Sequence, residues 1–233
     1  MDHEKPIIYG KNVRKVYRMG DEEVVALKRI NLRIYKGEVC CIFGTSGSGK
    51  STFLNQLAGM EKPTKGQVFI RGKNISDMNE EELAAFRQEH MSFIFQSYNL
   101  LPSMTAVENV AMPLMFKGMD RKKREAMAEE MLKRVGLSHR LHHYPSQMSG
   151  GQQQRAGIAR AFVSRPEVVF ADEPTGNLDT KTTAEIMDMV MGFARRFNQT
   201  IILVTHDPGM SRYADRIVTL VDGVITGDER KGQ

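Results

Sequence analysis

Two features that would place the chain elsewhere are nearly or wholly missing. Among 233 residues there are two cysteines, Cys40 and Cys41, adjacent to one another inside an apolar run. That placement argues for small buried core residues and against a disulfide or a metal site. No stretch approaches the ~18 consecutive apolar residues that a spanning helix needs. The opening Met1-Asp2-His3-Glu4-Lys5-Pro6 lacks the apolar core of a signal peptide, so a cytoplasmic location is expected. Internal repeats and long flexible linkers are also missing. What remains is ordinary for a soluble globular chain: 41% hydrophobic, 26% charged, and long enough to bury a real core.

A net charge of +5 raises the question of nucleic acid or an anionic surface. The densest basic run, Arg121-Lys122-Lys123-Arg124, opens a segment in which Met127, Met131 and Val135 recur every four residues. It therefore reads as the solvated face of a helix. The sixteen methionines are scattered, which fits core and interface filling by an adaptable thioether.

The first third reads as strands, Ile7 to Val16 and Val24 to Ile34, the latter with Leu32 and Ile34 alternating with polar neighbours. After Gly37, Val39 to Phe43 is continuously apolar, as suits a strand buried on both faces of a parallel sheet. A glycine-rich loop leads from it into a helical segment, Ser51 to Ala58, and a short strand follows at Gln67 to Arg71. Asn79 can cap a helix through Arg87, with Glu82 as its capping-box partner. A strand at Ser92 to Phe95 precedes helical patterns at Ala106 to Phe116, Arg121 to Val135 and Gly151 to Arg165. Buried strands return at Val168 to Ala171 and Thr200 to Val204, flanking a helix over Lys181 to Phe197, and Asp222-Gly223 marks a hairpin. The expected fold is α/β: a core sheet with an antiparallel β region, together about 1–95 and 166–233, and a helical insertion at about 96–165.

Gly44-Thr45-Ser46-Gly47-Ser48-Gly49-Lys50-Ser51 matches the full phosphate-loop pattern, strand before and helix after. Gly47 and Gly49 permit backbone conformations that turn successive N–H groups toward one point. Lys50 offers a full charge to the β- and γ-phosphates and Ser51 a hydroxyl to Mg²⁺; Thr52 completes the nucleotide-binding run. Downstream, Val168 to Ala171 ends in Asp172 and Glu173. Strand alternation would send the two carboxylates in different directions, Asp172 to the Mg²⁺ shell and Glu173 to the attacking water.

Met148-Ser149-Gly150-Gly151-Gln152, lying between these motifs, resembles the signature of the ABC ATPases. Its physics is again anion binding, with Ser149 and the N–H groups of Gly150 and Gly151 at a helix N-terminus. The resemblance implies a head-to-tail dimer in which each ATP lies between one copy's phosphate loop and the other's signature. It also implies that Gln96 senses metal and water, that His206 contacts the γ-phosphate, that Asn177-Leu178-Asp179 crosses the dimer interface, and that Tyr17 stacks on adenine. The pattern covers nearly the whole chain. Met148 stands where leucine is usual, a volume-conserving change, and Gly157 interrupts the signature helix, where it would mark close packing.

Ala26 to Leu32, Glu108 to Leu114 and Asp172 to Asp179 resemble one branch of that family, the ATPases of lipoprotein-release, macrolide-export, antimicrobial-peptide-resistance and cell-division systems. The implied role is the ATPase subunit of a membrane complex for export or mechanical transmission, at the cytoplasmic face, with a transmembrane permease and a second ATPase copy as partners. Regulation of a cell-division or sensing complex, and small-molecule import, are the alternatives. No nucleic-acid partner is expected, because the chain has neither a long coiled-coil insertion nor a duplicated ATPase domain. Tyr98, Leu100, Leu101 and Met104 give the segment Gln96 to Thr105 apolar groups that suit a groove for a permease helix.

Overall fold

The computed structural model describes residues 5–231, which cluster into two units, one running to Arg87 and resuming at Asn198, the other spanning Gln88–Phe197. In the first unit the chain forms β1 (Ile8–Met19), β2 (Glu22–Ile34), β3 (Val39–Phe43), α1 (Lys50–Leu57), β4 (Lys65–Ile70) and β5 (Lys73–Asn74). An antiparallel sheet in the order β2-β1-β4-β5 results. Its register follows from side-chain period: Leu27, Ile30, Leu32 and Ile34 of β2 are buried, whereas Asn31 and Arg33 are exposed. α2 (Glu80–His90) starts in this unit. Its capping box is as expected: Glu82 N donates to Asn79 Oδ1 and Asn79 N to Glu82 Oε2, each at 2.9 Å.

The second unit contains β6 (Met91–Phe95), α3 (Ala106–Phe116), α4 (Arg121–Arg134), α5 (Gly150–Val163), β7 (Val168–Asp172) and α6 (Thr180–Phe197). β6 and β7 run parallel, with Phe93 stacked 5.4 Å from Phe170. Phe162 of α5 meets Phe193 of α6 at 5.2 Å between ring centres. The helix expected to end at Arg87 runs on to His90, whose carbonyl accepts from Glu167 N at 3.0 Å, and β6 begins without a loop. α5 stops at Val163, before Arg165, whose φ of +50° breaks the helix ahead of Pro166.

Back in the first unit, β8 (Thr200–Thr205), β9 (Arg216–Val221) and β10 (Val224–Arg230) complete the structure. β3 lies between β8 and β9, parallel to both, and β10 returns antiparallel on β9. Asp222 and Gly223 have φ of +46° and +72°, the two positive values that a two-residue hairpin turn requires. Cys40 and Cys41 are buried in β3, and burial pushes the Cys41 thiol up to about 11.

Candidate functional site

The phosphate loop joins β3 to α1, and its glycines serve three different purposes. At Gly44 a Cβ would lie 2.3 Å from the Leu220 carbonyl oxygen, so β9 forbids any side chain there. Gly47 has open space and is needed for its φ of +79° alone. Gly49 needs both: its φ is +99° and a Cβ would stand 2.7 Å from the Ala26 carbonyl oxygen. Gly49 is also the N-cap of α1, and having no side chain it leaves the first N–H groups of that helix uncapped. Thr45, Ser46, Gly47 and Ser51 are exposed, whereas Ser48 and Lys50 are buried. The Lys50 ammonium donates to the Thr45 carbonyl at 2.8 Å, so the loop holds its own cation in place.

Tyr17, on β1, is half-buried and donates its hydroxyl to Glu61 at 2.8 Å. Lys15 pairs with the same carboxylate at 3.1 Å and stands 5.1 Å from the Tyr17 ring centre. Desolvation, aided by the Glu61 charge, holds the phenol above its usual range. One edge of the ring is thus fixed. His206 is exposed immediately after β8, and the following Asp207 accepts from Gly209 N at 2.7 Å to start a short 3₁₀ turn.

In the second unit, β7 ends at Asp172 and Glu173 takes a φ of +43°. The expectation that strand alternation separates the two carboxylates is therefore corrected: a left-handed residue, not the pleat, sets the direction of Glu173. Such a conformation costs about 1–3 kcal/mol in a non-glycine residue. The turn beyond it holds the geometry, with Gly176 N donating to the Glu173 carbonyl at 3.1 Å and the buried Gln154 amide donating to the Pro174 carbonyl.

Gln96 follows β6 and packs against that same turn. Its carbonyl accepts from Asn177 Nδ2 at 3.1 Å, and its Nε2 sits 2.7 Å from where a Cβ of residue 176 would be, so glycine there makes room for it. Asp179 caps α6, accepting from Thr182 N at 3.0 Å, and the Thr182 hydroxyl holds its carboxyl below the usual range. At the signature, Ser149 is the N-cap of α5: its hydroxyl accepts from Gln152 N at 3.4 Å, and Gln152 Oε1 accepts from Ser149 N at 3.0 Å. Gly150 and Gly151 form the first turn, whose N–H groups have no helical carbonyl to meet. Met148 is buried. A Cβ on Gly157 would stand 3.5 Å from the nearest atom, so no close packing demands glycine at that position. Gln154 and Gly176 escaped the sequence reading because their role lies in carbonyls and amides far along the chain.

The profile of the ABC transporter family matches residues 27–176. An ABC transporter ATP-binding protein of Methanocaldococcus jannaschii is 48% identical over 219 residues, 94% of this chain and 97% of its own length. The macrolide export ATP-binding/permease protein MacB of Shewanella sp. is 46% identical over 217 residues, and the chain spans 33% of that longer protein. Among solved structures, the dimeric post-hydrolysis state of the ATP-binding cassette MJ0796 bound to ADP and Pi superposes with a TM-score of 0.90 at 42% identity, covering 96% of this chain and 98% of that one. With its phosphate loop and its capped signature helix both in place, the chain belongs to the ABC transporter family.

Proposed function

We propose that the chain is the ATP-hydrolysing subunit of a membrane ABC complex, working as a head-to-tail pair to drive export or mechanical transmission through a permease. The observation that carries this reading is that one chain has two helices starting at glycine-rich turns, α1 at Gly49 and α5 at Ser149-Gly150-Gly151, and such a start suits an anion. One nucleotide contacts the phosphate loop of its own subunit, so the second terminus is left for the nucleotide of a partner copy. Two solved structures of the cassette MJ0796 are described as dimeric, and the MacB relatives join an ATP-binding part to a permease in one chain.

In this reading Tyr17 stacks on adenine, and the loop from Gly44 to Thr52 holds the phosphates. Ser149, Gly150, Gly151 and Gln152 complete the partner's site. Ser51, Gln96 and Asp172 present a hydroxyl, an amide oxygen and a carboxylate, a set of hard oxygen donors that suits Mg²⁺. When bound, that ion neutralises charge on the β- and γ-phosphates. Glu173 accepts a proton from the attacking water, and His206 holds the γ-phosphate end. No helix among the described residues is long and apolar enough to cross a membrane, which fits a peripheral subunit at the cytoplasmic face.

Glu173→Gln is expected to bind ATP normally, to lower turnover by about 10³-fold, the middle of the usual range for a lost general base, and to accumulate as an ATP-bound dimer. Light scattering with and without ATP measures this. A variant that hydrolyses at the wild-type rate, or that stays monomeric at saturating ATP, overturns the reading.

The permease contact is assigned to the surface beside α3. Of the apolar groups between Gln96 and Thr105, Leu101 is 41% exposed and Met104 lines a groove of about 190 Å³ with Ala111, Met112 and Met115 on its apolar side and Glu108, Arg121, Arg124 and Glu125 on its charged side. Buried Asn109 holds this segment in shape, accepting from Leu101 N at 2.7 Å and donating to the carbonyls of Leu101 and Met104. Leu101→Asp should abolish capture by the permease in a pull-down while ATPase activity of the isolated subunit survives. Joint loss of folding and activity would instead make Leu101 a core-closing residue.

A further inference from the structure

The loop after β6 contains two consecutive non-glycine residues in the left-handed region, Tyr98 at φ +61° and Asn99 at φ +48°. Each such residue is sparsely populated on its own and persists where the surroundings over-determine it. The surroundings are one stripe of α5. The Tyr98 hydroxyl sits 2.8 Å from where a Cβ of Gly150 would be, and the Tyr98 carbonyl sits 3.5 Å from the corresponding point on Gly157. At the far end of the stripe, Arg160 donates Nη2 to the Tyr98 carbonyl at 2.9 Å and Nη1 to the Asn99 carbonyl at 2.5 Å. These three positions, seven and three residues apart, share one helix face.

Arg160 is an unusual cation for its place. It is half-buried, its hydrogen bonds go to two backbone carbonyls, and no carboxylate among the described residues forms an ion pair with it. Desolvation accordingly draws the guanidinium below its ordinary range, with no opposing charge to offset it. A guanidinium is the one side chain whose rigid fork can hold two adjacent carbonyls at once. Burying part of a charge for neutral partners is a cost that simple packing does not require.

We propose that Arg160 is a positioning residue that fixes the strained Tyr98–Asn99 pair along α5, so that movement of Gln96 is passed to the signature glycines at the start of the same helix. This rests on the reading of Gln96 and Gly150 given above. The nearer end of the loop carries Gln96, two residues before Tyr98; the farther contact is the Tyr98 ring on Gly150. A rigid loop makes these two ends move together, whereas a relaxed one lets Gln96 respond to the nucleotide without shifting the surface that receives the partner's ATP.

The test uses the full chain with Glu173→Gln as a reference background. Arg160→Lys keeps the charge but reaches one carbonyl instead of two. Expected are a fall in kcat of about tenfold, the scale of one lost charged hydrogen bond, a KM for ATP within about twofold of wild type, and a weakened ATP-dependent dimer in the Glu173→Gln background. Adding Asn99→Gly, which adopts positive φ without strain, should restore most of kcat and dimerisation. Wild-type kcat and dimerisation in Arg160→Lys overturn the proposal, as does a joint fall in melting temperature and nucleotide affinity that Asn99→Gly leaves unrepaired. Should Glu173→Gln itself fail to form an ATP-bound dimer, the underlying functional reading falls, and kcat with its glycine rescue still decides the role of Arg160.

Discussion

The two helix starts that the proposed function assigns to phosphate are built in opposite ways. α1 begins at Gly49, which offers no capping side chain, and the nearby Lys50 cation rests on a carbonyl of its own loop. α5 begins at Ser149, whose hydroxyl and partner Gln152 form a closed capping box. The first helix therefore has no side-chain cap at its start, and the second satisfies part of its own donors. A capped terminus gains less from an incoming phosphate, since some of its donors already have acceptors. Under the proposed function, this difference predicts that one cradle binds ATP unaided and the other contributes only when a nucleotide is brought to it, as in a closing dimer.

The sharpest way to break this asymmetry is at the uncapped end. Lys50→Ala removes a charged donor to phosphate and should weaken ATP binding to the single subunit by roughly 10–100-fold, the range of a charged hydrogen bond. Equilibrium titration with a fluorescent nucleotide checks it. At the capped end, Ser149→Arg should leave that titration within about twofold of wild type, since loss of an N-cap alone costs the helix about 1 kcal/mol, yet abolish the ATP-bound dimer seen by light scattering in the Glu173→Gln background. If the titration fails as badly as in Lys50→Ala, the second cradle does not act in trans. The smallest effect is expected in the middle of α5. Gly157→Ala has room for its methyl group and should stabilise the chain by up to about 1 kcal/mol through helix propensity, read as a higher melting temperature with unchanged turnover. A fall in melting temperature would mean that the helix or the Tyr98 carbonyl must shift to admit it.

The strands and helices were legible because their side chains alternate or recur at the period that burial demands, as in β2 and in the box of Asn79 with Glu82. The phosphate loop was legible because its residue types are dictated locally by backbone conformation. What escaped was set by groups distant in sequence. Glu173 looks like one more strand residue, yet it turns left-handed ahead of a turn whose Pro174 carbonyl is held by the buried Gln154 amide twenty residues away. Gly44 looks like a loop glycine, and the reason for it is a carbonyl at position 220. Arg160 carries no mark in the sequence of the two carbonyls that it holds. Backbone acceptors carry no residue-type signature, so no inspection of letters finds them. Arg216 is a similar case: its guanidinium grips Asp228 through two bonds of 2.6 Å and donates to the Arg33 carbonyl at 2.7 Å, linking β9 and β10 to β2.

The position of β3 has a consequence for how the protein is made. This strand and its loop are specified by residue 51, but both neighbours of β3 come from beyond residue 199, and Gly44 and Ser48 are closed over by Leu220 and Gly223. A nascent chain emerging from the ribosome thus carries the ATP-binding sequence through most of its synthesis without the strands that shape it. At about 5–20 residues per second, the wait between the loop and its frame is on the order of 10 s. The frame of the phosphate loop is finished last although the loop is written early, and an incomplete chain lacks the strands that shape it.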